Sequence, residues 1–271
     1  MSRFLKSLFS RKPILPGRPQ NTIHKVSSGP KSETAYIIGD VHGCLKELTQ
    51  LLGVIEKDFA GDPSHPAKLV FLGDLIDRGP QSREVVEFLR TYSQALFQPV
   101  FLMGNHEEVF LKILGGRTDL LEPWFSFGGD ACARSYGVTN LGAVYAEPQT
   151  IFDQLRAKVD PAHIDFLKSF RDIWAFGDFV CVHAGIRPLT ALQAQKTHDL
   201  RWIRSEFLDF KGDHGAVIVH GHTVVEEAKH YGNRIALDTG VYQSGKLSAL
   251  KIFERSLSIV DSYGQLKTIQ T

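Results

Sequence analysis

The chain has 271 residues, 43% of them hydrophobic and 23% charged, and a formal net charge of +1 at pH 7. That length suits one large domain with a sizeable core, and the near-neutral charge excludes a global field aimed at nucleic acid or another polyanion. No run of 18 apolar residues offers a membrane span, and no long apolar stretch near the start reads as a secretory signal.

Residues 1–33 stand apart as a tail and linker. Arg3, Lys6, Arg11, Lys12 and Arg18 are basic, no acid precedes Glu33, and Phe4, Leu5, Leu8 and Phe9 recur at helical spacing. A short basic amphipathic helix there would suit an anionic membrane surface. The alternative is a flexible tail running into a Pro/Gly/Ser-rich linker from Pro13 to Pro30. It is preferred, because an isolated helix of barely three turns is marginal in water.

The domain is placed at 34–264, with 265–271 as a C-terminal tail. Ala35 to Ile38 is a short apolar run, read as a buried strand. Leu45, Leu48, Leu51, Leu52 and Ile55 then repeat at helical steps. A second strand runs from Lys68 to Leu72, and a second helix from Ser82 to Phe97 with Ser82 as its N-cap. Val100 to Met103 is a third strand. Glu107 to Leu114 is a third helix, stopped by Gly115-Gly116. Strand, loop and helix three times over argue parallel βαβ units and the α/β (α+β) class.

From Gly115 to Asp160 the pattern is irregular. Pro161 to Phe170 reads as a helix. Ile173–Phe176 and Phe179–Val182 read as a hairpin across Gly177-Asp178, and Pro188 to Phe210 holds helical stretches. Residues 216–219, 234–237, 248–253 and 257–260 are strand-like. Cys44, Cys132 and Cys181 are odd in number and lack paired metal spacing. No disulfide framework is expected, a reducing, cytoplasmic compartment is the default, and Cys181 reads as a core thiol.

The chemistry sits after the strands. They lead into Gly39-Asp40-Val41-His42-Gly43, Gly73-Asp74-Leu75-Ile76-Asp77-Arg78-Gly79, Gly104-Asn105-His106-Glu107, His183-Ala184-Gly185 and His220-Gly221-His222-Thr223. Ligands bind at the carboxyl ends of strands in α/β sheets, so these five loops are expected to converge on one edge. Mixed carboxylate, imidazole and carboxamide donors suit Mn, Fe or Zn rather than Ca, and there are enough of them for two ions. Each piece alone is weak; the signal is their joint occurrence. His24, His65, His163, His198, His214 and His230 lack such a context and are read as solvent-exposed or incidental.

These blocks, with Trp202 to Phe207 and Asp238-Thr239-Gly240, resemble the signature segments of the calcineurin-like metallophosphoesterases. More narrowly, they resemble the bacterial and phage phosphoprotein phosphatases. The likeness covers about residues 35–255 and implies a β-sandwich flanked by helices. It implies Asp40 and His42 on a first metal, Asp74 bridging, and Asn105, His183 and His222 on a second. His220 is the alternative to His222. Two divalent ions, Mn foremost, with Fe and Zn also compatible, would lower the pKa of a shared water and furnish a bridging hydroxide near pH 7. His106, oriented by Asp77, would protonate a leaving alkoxide. Arg78 and Arg204 would grip the phosphate. Where the family often carries Arg before Gly-Asn-His-Glu, this chain has Met103, so Arg187 or Arg134 would have to supply that cation.

Three functions follow. The first is a metal-dependent hydrolase of phosphomonoesters, read as a serine/threonine protein phosphatase acting on a phosphoprotein or a small phosphorylated substrate. The second is a phosphoanhydride hydrolase resembling the symmetrical bis(5'-nucleosyl)-tetraphosphatases. The third is a non-catalytic metal-binding module. Asp77 and Glu107 look like the phosphatase branch and favour the first; a full set of ligands and acid disfavours the third. No nucleic-acid partner is expected.

Overall fold

The computed structural model describes residues 27–59 and 64–269. The amphipathic-helix reading, and the tail-and-linker reading up to residue 26, lie outside the described residues.

The first half follows the strand–helix alternation. β1 (Thr34–Ile38), β2 (Ala67–Phe71) and β3 (Phe97–Phe101) are parallel, with Ile37 beside Val70 and Leu69 beside Pro99. Between them run α1 (Leu45–Asp58) and α2 (Ser82–Arg90), and α3 (Asn105–Leu114) follows. α1 forms because Leu48, Leu51, Leu52 and Ile55 fall on one face, and all four are buried. Two expectations are corrected here. α2 stops at Arg90 rather than Phe97, and the chain turns at 91–96 into a strand that begins at Phe97. Ser82 is not the N-cap; that position is Gln81, and the Ser82 hydroxyl instead accepts the Asp77 N–H at 2.9 Å.

The stretch that reads as irregular is built largely of short helices: α4 (Leu121–Trp124), a turn at Phe125–Gly129 kinked at Gly128, α5 (Asp130–Ser135) and α6 (Pro148–Lys158), before α7 (Pro161–Lys168). Pieces of four to six residues are too short for a helical period to register in sequence. β4 (Trp174–Phe176) and β5 (Phe179–Cys181) form the expected hairpin, turned at Gly177 with φ +63°. Then come α8 (Thr197–Trp202), α9 (Ser205–Leu208), β6 (Val217–His220), β7 (Lys229–His230), β8 (Arg234–Ala236), α10 (Val241–Ser244), β9 (Ser248–Phe253), β10 (Ser256–Asp261) and β11 (Leu266–Ile269).

Among the described residues the strands form two sheets, in the orders β11-β10-β9-β1-β2-β3 and β4-β5-β6-β8-β7. Ile37, Val70 and Leu250 of the first meet Phe179, Val219 and Ile235 of the second in a buried apolar layer. Tyr36, Ile38, Leu69 and Phe71 face α1, α2 and α3 on the other side of the first sheet. Val180 and Ile218 pack against Leu200 and Phe207 outside the second. The chain is thus a β-sandwich with helices on both outer faces, in the mixed α/β class.

The C-terminal tail is corrected: residues 266–269 are an edge strand paired antiparallel with β10. Its side chains are mostly exposed, so it carries little apolar pattern. The domain also begins before residue 34, since the Gly29 N–H donates to the Glu254 carbonyl at 2.7 Å and the Ser28 carbonyl accepts from the Asp178 N–H at 2.9 Å. Cys44, Cys132 and Cys181 are free and buried, and burial pushes the Cys181 thiol pKa up. No helix among the described residues is long and apolar enough to cross a membrane.

At the end of α1, Asp58 Oδ2 accepts from the Tyr36 hydroxyl at 2.5 Å and from Lys251 Nζ at 2.7 Å, tying the helix to β1 and β9. Partial burial pushes the Asp58 pKa up, but Lys251 and Tyr36 outweigh it and hold the carboxyl below its ordinary range. A carboxyl depressed in the folded state stabilises above its unfolded pKa and loses that stabilisation as pH falls through the folded value. Asp58→Asn should therefore lower Tm at neutral pH by about 5 °C, for about 2 kcal/mol of charge-assisted bonding. The gap to the native chain should close below about pH 4, in melts run from pH 3 to 7. An unchanged gap at acid pH would remove the ionic explanation.

Candidate metal centre

The loops after β1, β2 and β3 leave one sheet and those after β5 and β6 leave the other, so the five motifs converge across the sandwich. This corrects the expectation of one sheet edge. The backbone there is strained. His42, Asp74, Asp77, Arg78 and His222 are non-glycine residues with φ between +45° and +72°. Such conformations cost energy, persist only where the surroundings enforce them, and cluster at functional sites.

Glu107 supplies much of that enforcement. From the first turn of α3, its Oε2 accepts the N–H groups of Asp74 at 2.8 Å and Gly104 at 3.0 Å, and its Oε1 accepts that of Leu75 at 2.7 Å. Burial, then the neighbouring Asp74, push its carboxyl pKa up to about 7. Gly104 is required by close approach: a Cβ there would lie 2.1 Å from Asp74 Oδ1.

Asp74 is the hub. Its Oδ2 lies 3.3 Å from His183 Nε2 and 3.8 Å from Nε2 of both His42 and His106. Among the described residues two buried groups could hold a cation, His42/Asp74/His106 and Asp74/His183/His222, each with its donor atoms within 4.8 Å of one another. Asn105 Oδ1 lies 2.9 Å from His183 Nε2 and 2.8 Å from His222 Nδ1. Asp40 Oδ2 accepts the His222 N–H at 2.9 Å. Asp40 Oδ1 and His222 Nε2 are buried with no hydrogen-bond partner among the described residues.

This donor set fits metal ions. His42 Nδ1 donates to the Ile76 carbonyl and His183 Nδ1 to the Leu72 carbonyl, each at 2.9 Å. A carbonyl only accepts, so in the neutral ring each Nε2 presents its lone pair towards Asp74. Metal-binding imidazoles are commonly oriented in this way. Burial, the largest influence, lowers the His42 pKa to about 3 and the His222 pKa to about 2, keeping both rings neutral and able to ligate. Burial would raise the Asp74 pKa, yet His183 and His106 hold it well below the carboxylate range. At Asp40, burial followed by the charges of Asp238 and Asp74 pushes the pKa well up. Crowded acceptors of this kind are offset by divalent cations.

The residues expected at the metals, Asp40, His42, Asp74, Asn105, His183 and His222, are therefore all buried and brought together. The expected proton-transfer pair is also formed: His106 Nδ1 lies 2.6 Å from Asp77 Oδ2, which accepts a second bond from Trp124 Nε1 at 2.8 Å. Burial pulls the His106 pKa down, but Asp74 and Asp77 outweigh it and raise it to about 9. Arg78 is half-buried, bonded through Nη1 to the Tyr242 hydroxyl with its guanidinium 4.6 Å from the Tyr242 ring centre. Arg204 is exposed, its Nη1 3.2 Å from Thr223 Oγ1, next to His222.

His220 is a packed imidazole. Nδ1 lies 3.0 Å from the Gly221 carbonyl, Nε2 lies 3.2 Å from Arg234 Nη1, and the ring meets Phe207 edge-on. Neither replacement cation for Met103 is free. Arg187 makes two 2.8 Å bonds to Asp199, and Arg134 lies 3.6 Å from Asp130 on the surface. His163, read as exposed or incidental, is buried between Tyr136 and Glu87. Sequence reasoning gave no role to Asp238, Trp124 or Tyr242. Asp238 carried a usable signal, since it too follows a strand as Asp-Thr-Gly; Trp124 and Tyr242 carried none.

Comparison with known proteins agrees with this geometry. Over 254 residues the chain is 30% identical to the asymmetrical bis(5'-nucleosyl)-tetraphosphatase PrpE of Anoxybacillus flavithermus, covering 83% of this chain and 93% of that one. An 80-residue stretch is 46% identical to the symmetrical bis(5'-nucleosyl)-tetraphosphatase of Coxiella burnetii, covering 30% of this chain and 24% of that one. A solved cold-active protein tyrosine phosphatase shares the fold, with a TM-score of 0.58 at 20% identity, over 88% of this chain and 79% of that one. Residues 34–253 match the description of one family throughout. With two sheets converging their loops on a buried His/Asp cluster, and that match along most of its length, the chain belongs to the calcineurin-like phosphoesterases, a family of metal-dependent hydrolases.

Proposed function

We propose that this protein hydrolyses phosphoric anhydride bonds of dinucleoside polyphosphates, with two divalent metals held by Asp40, His42, Asp74, Asn105, His183 and His222. The observation that carries this reading is the likeness to a tetraphosphatase along 93% of that relative's length. The sequence preference for a protein phosphatase rests on Asp77 and Glu107, and both are engaged inside the protein. The Glu107 carboxylate is taken up by backbone amides, and Asp77 Oδ2 by His106 and Trp124. Neither contacts a substrate directly; Asp77 bears on it only through His106.

Bound metals supply Lewis acidity, activating water and neutralising phosphoryl oxygens. The chain's own residues do the rest. Arg78, fixed by Tyr242, and Arg204 bind phosphate oxygens. Asp77 holds the His106 Nδ1 proton, leaving the Nε2 proton of the imidazolium available to a leaving oxygen. This last feature favours a second reading, monoester hydrolysis. A serine alkoxide leaves poorly without an acid, whereas a nucleotide leaves well.

Initial rates with Mn(II) on diadenosine tetraphosphate and on a phosphoserine peptide, side by side with a chelator control, decide between them. The expected result is a chelator-sensitive kcat/KM at least about tenfold higher on the dinucleotide, a margin of about 1.4 kcal/mol. ATP plus AMP would mark asymmetrical cleavage, and ADP alone symmetrical cleavage. A preference for the peptide would overturn the reading in favour of a protein phosphatase.

A further inference from the structure

Phe127 is 63% exposed, while its neighbours in the same segment turn inward: Trp124 is 2% exposed, and Phe125 packs against the core. A single exposed aromatic residue is ordinary by itself. Its placement is not. Phe127 sits one residue before Gly128, whose non-helical backbone kinks the chain between α4 and α5. Both sides of that turn are fixed to the loop proposed to grip phosphate. Trp124 Nε1 donates to Asp77 on one side. On the other, the Gly128 carbonyl accepts the Arg78 N–H at 2.9 Å. Gly128 has φ +96°, and a Cβ on it would come within 2.7 Å of Arg78 Cγ. The exposed ring is therefore carried on a rigid turn, one residue from backbone contact with Arg78.

We propose that Phe127 is the stacking platform for a nucleobase of a nucleotide whose phosphate is held at Arg78. The inference rests on the nucleotide reading above and names the residue that would recognise the nucleoside. On this proposal, a base joined through one ribose to that phosphate meets the ring. Stacking on an aromatic face tolerates any base, because every base has a π face. The turn adds little that would read a base edge, since Ser126 donates its hydroxyl to the Pro123 carbonyl and Gly128 and Gly129 have no side chains. The platform should accept adenosine and guanosine alike.

The test is direct binding, by calorimetry with Mn(II), of two ligands that resist hydrolysis: adenosine 5'-(α,β-methylene)diphosphate and methylenediphosphonate. The native chain should bind the nucleoside ligand at least about tenfold more tightly than the bare diphosphonate. Phe127→Ala should reduce that ratio to below about threefold with the diphosphonate Kd unchanged, and Phe127→Trp should preserve it. The proposal is overturned by equal affinities in the native chain, by a ratio that survives in Phe127→Ala, or by parallel weakening of both ligands. Neither ligand is turned over, so this titration decides the role of Phe127 separately from the rate comparison that decides the substrate.

Discussion

Asp74→Asn is expected to lower kcat/KM on every phosphate substrate by at least about 10³-fold while the chain remains folded. The Asp74 carboxylate belongs to both groups of candidate ligands and faces the Nε2 atoms of three imidazoles. Asparagine keeps one carbonyl oxygen, which can still accept the His106 N–H that Asp74 Oδ1 accepts at 3.1 Å. It also leaves the Glu107 clamp on the backbone untouched, because that clamp binds N–H groups rather than the side chain. What it removes is the negative charge that two cations would share. Metal content by atomic emission should fall below two equivalents, with a melting profile close to that of the native chain. Two retained equivalents and a native rate would sink the shared-ligand assignment.

His106→Asn should divide substrates by their leaving groups. The loss in kcat is expected to be about 10³-fold on a phosphoserine peptide, whose alkoxide needs a proton, and only about tenfold on p-nitrophenyl phosphate or a dinucleotide. The reason is the 2.6 Å contact to Asp77, which supports a protonated imidazole with its pKa raised to about 9 against the pull of burial. His106 also lies in the group with His42 and Asp74, so a role in holding metal is the competing explanation. The two differ in readout. A metal-holding role predicts equal losses on all substrates and reduced metal content; an acid role predicts a leaving-group-dependent loss at unchanged content.

Much of this site was legible before any coordinates. Asp40, His42, Asp74, Asn105 and His222 each sit beside a glycine, His183 lies two residues before Gly185, and all lie just past short apolar runs. Strand, turn and ligand type are all local properties, carried by a few adjacent residues. β1, β2, α1 and α3 were legible for the same reason: a buried strand or an amphipathic face is written in the spacing of neighbouring apolar residues. The helices between Gly115 and Asp160 were not: α4 and α5 end before a period can repeat, while α6 has 11 residues but buries only Ile151, Phe152 and Leu155.

Other questions had no local answer. Whether His220 or His222 faces the centre turned on Arg234 and Phe207, which occupy the His220 ring. Whether Arg187 could replace the cation missing at Met103 turned on Asp199, twelve residues away. The contacts of Trp124 with Asp77 and of Tyr242 with Arg78 span 47 and 164 residues. The local sequence determined which residues end strands and which side chains can bind a metal, because covalent neighbours and periodicity impose both. Only the tertiary structure decided which of those side chains share a site, how their charges shift one another, and that two sheets rather than one bring them together, because those outcomes depend on how distant segments pack.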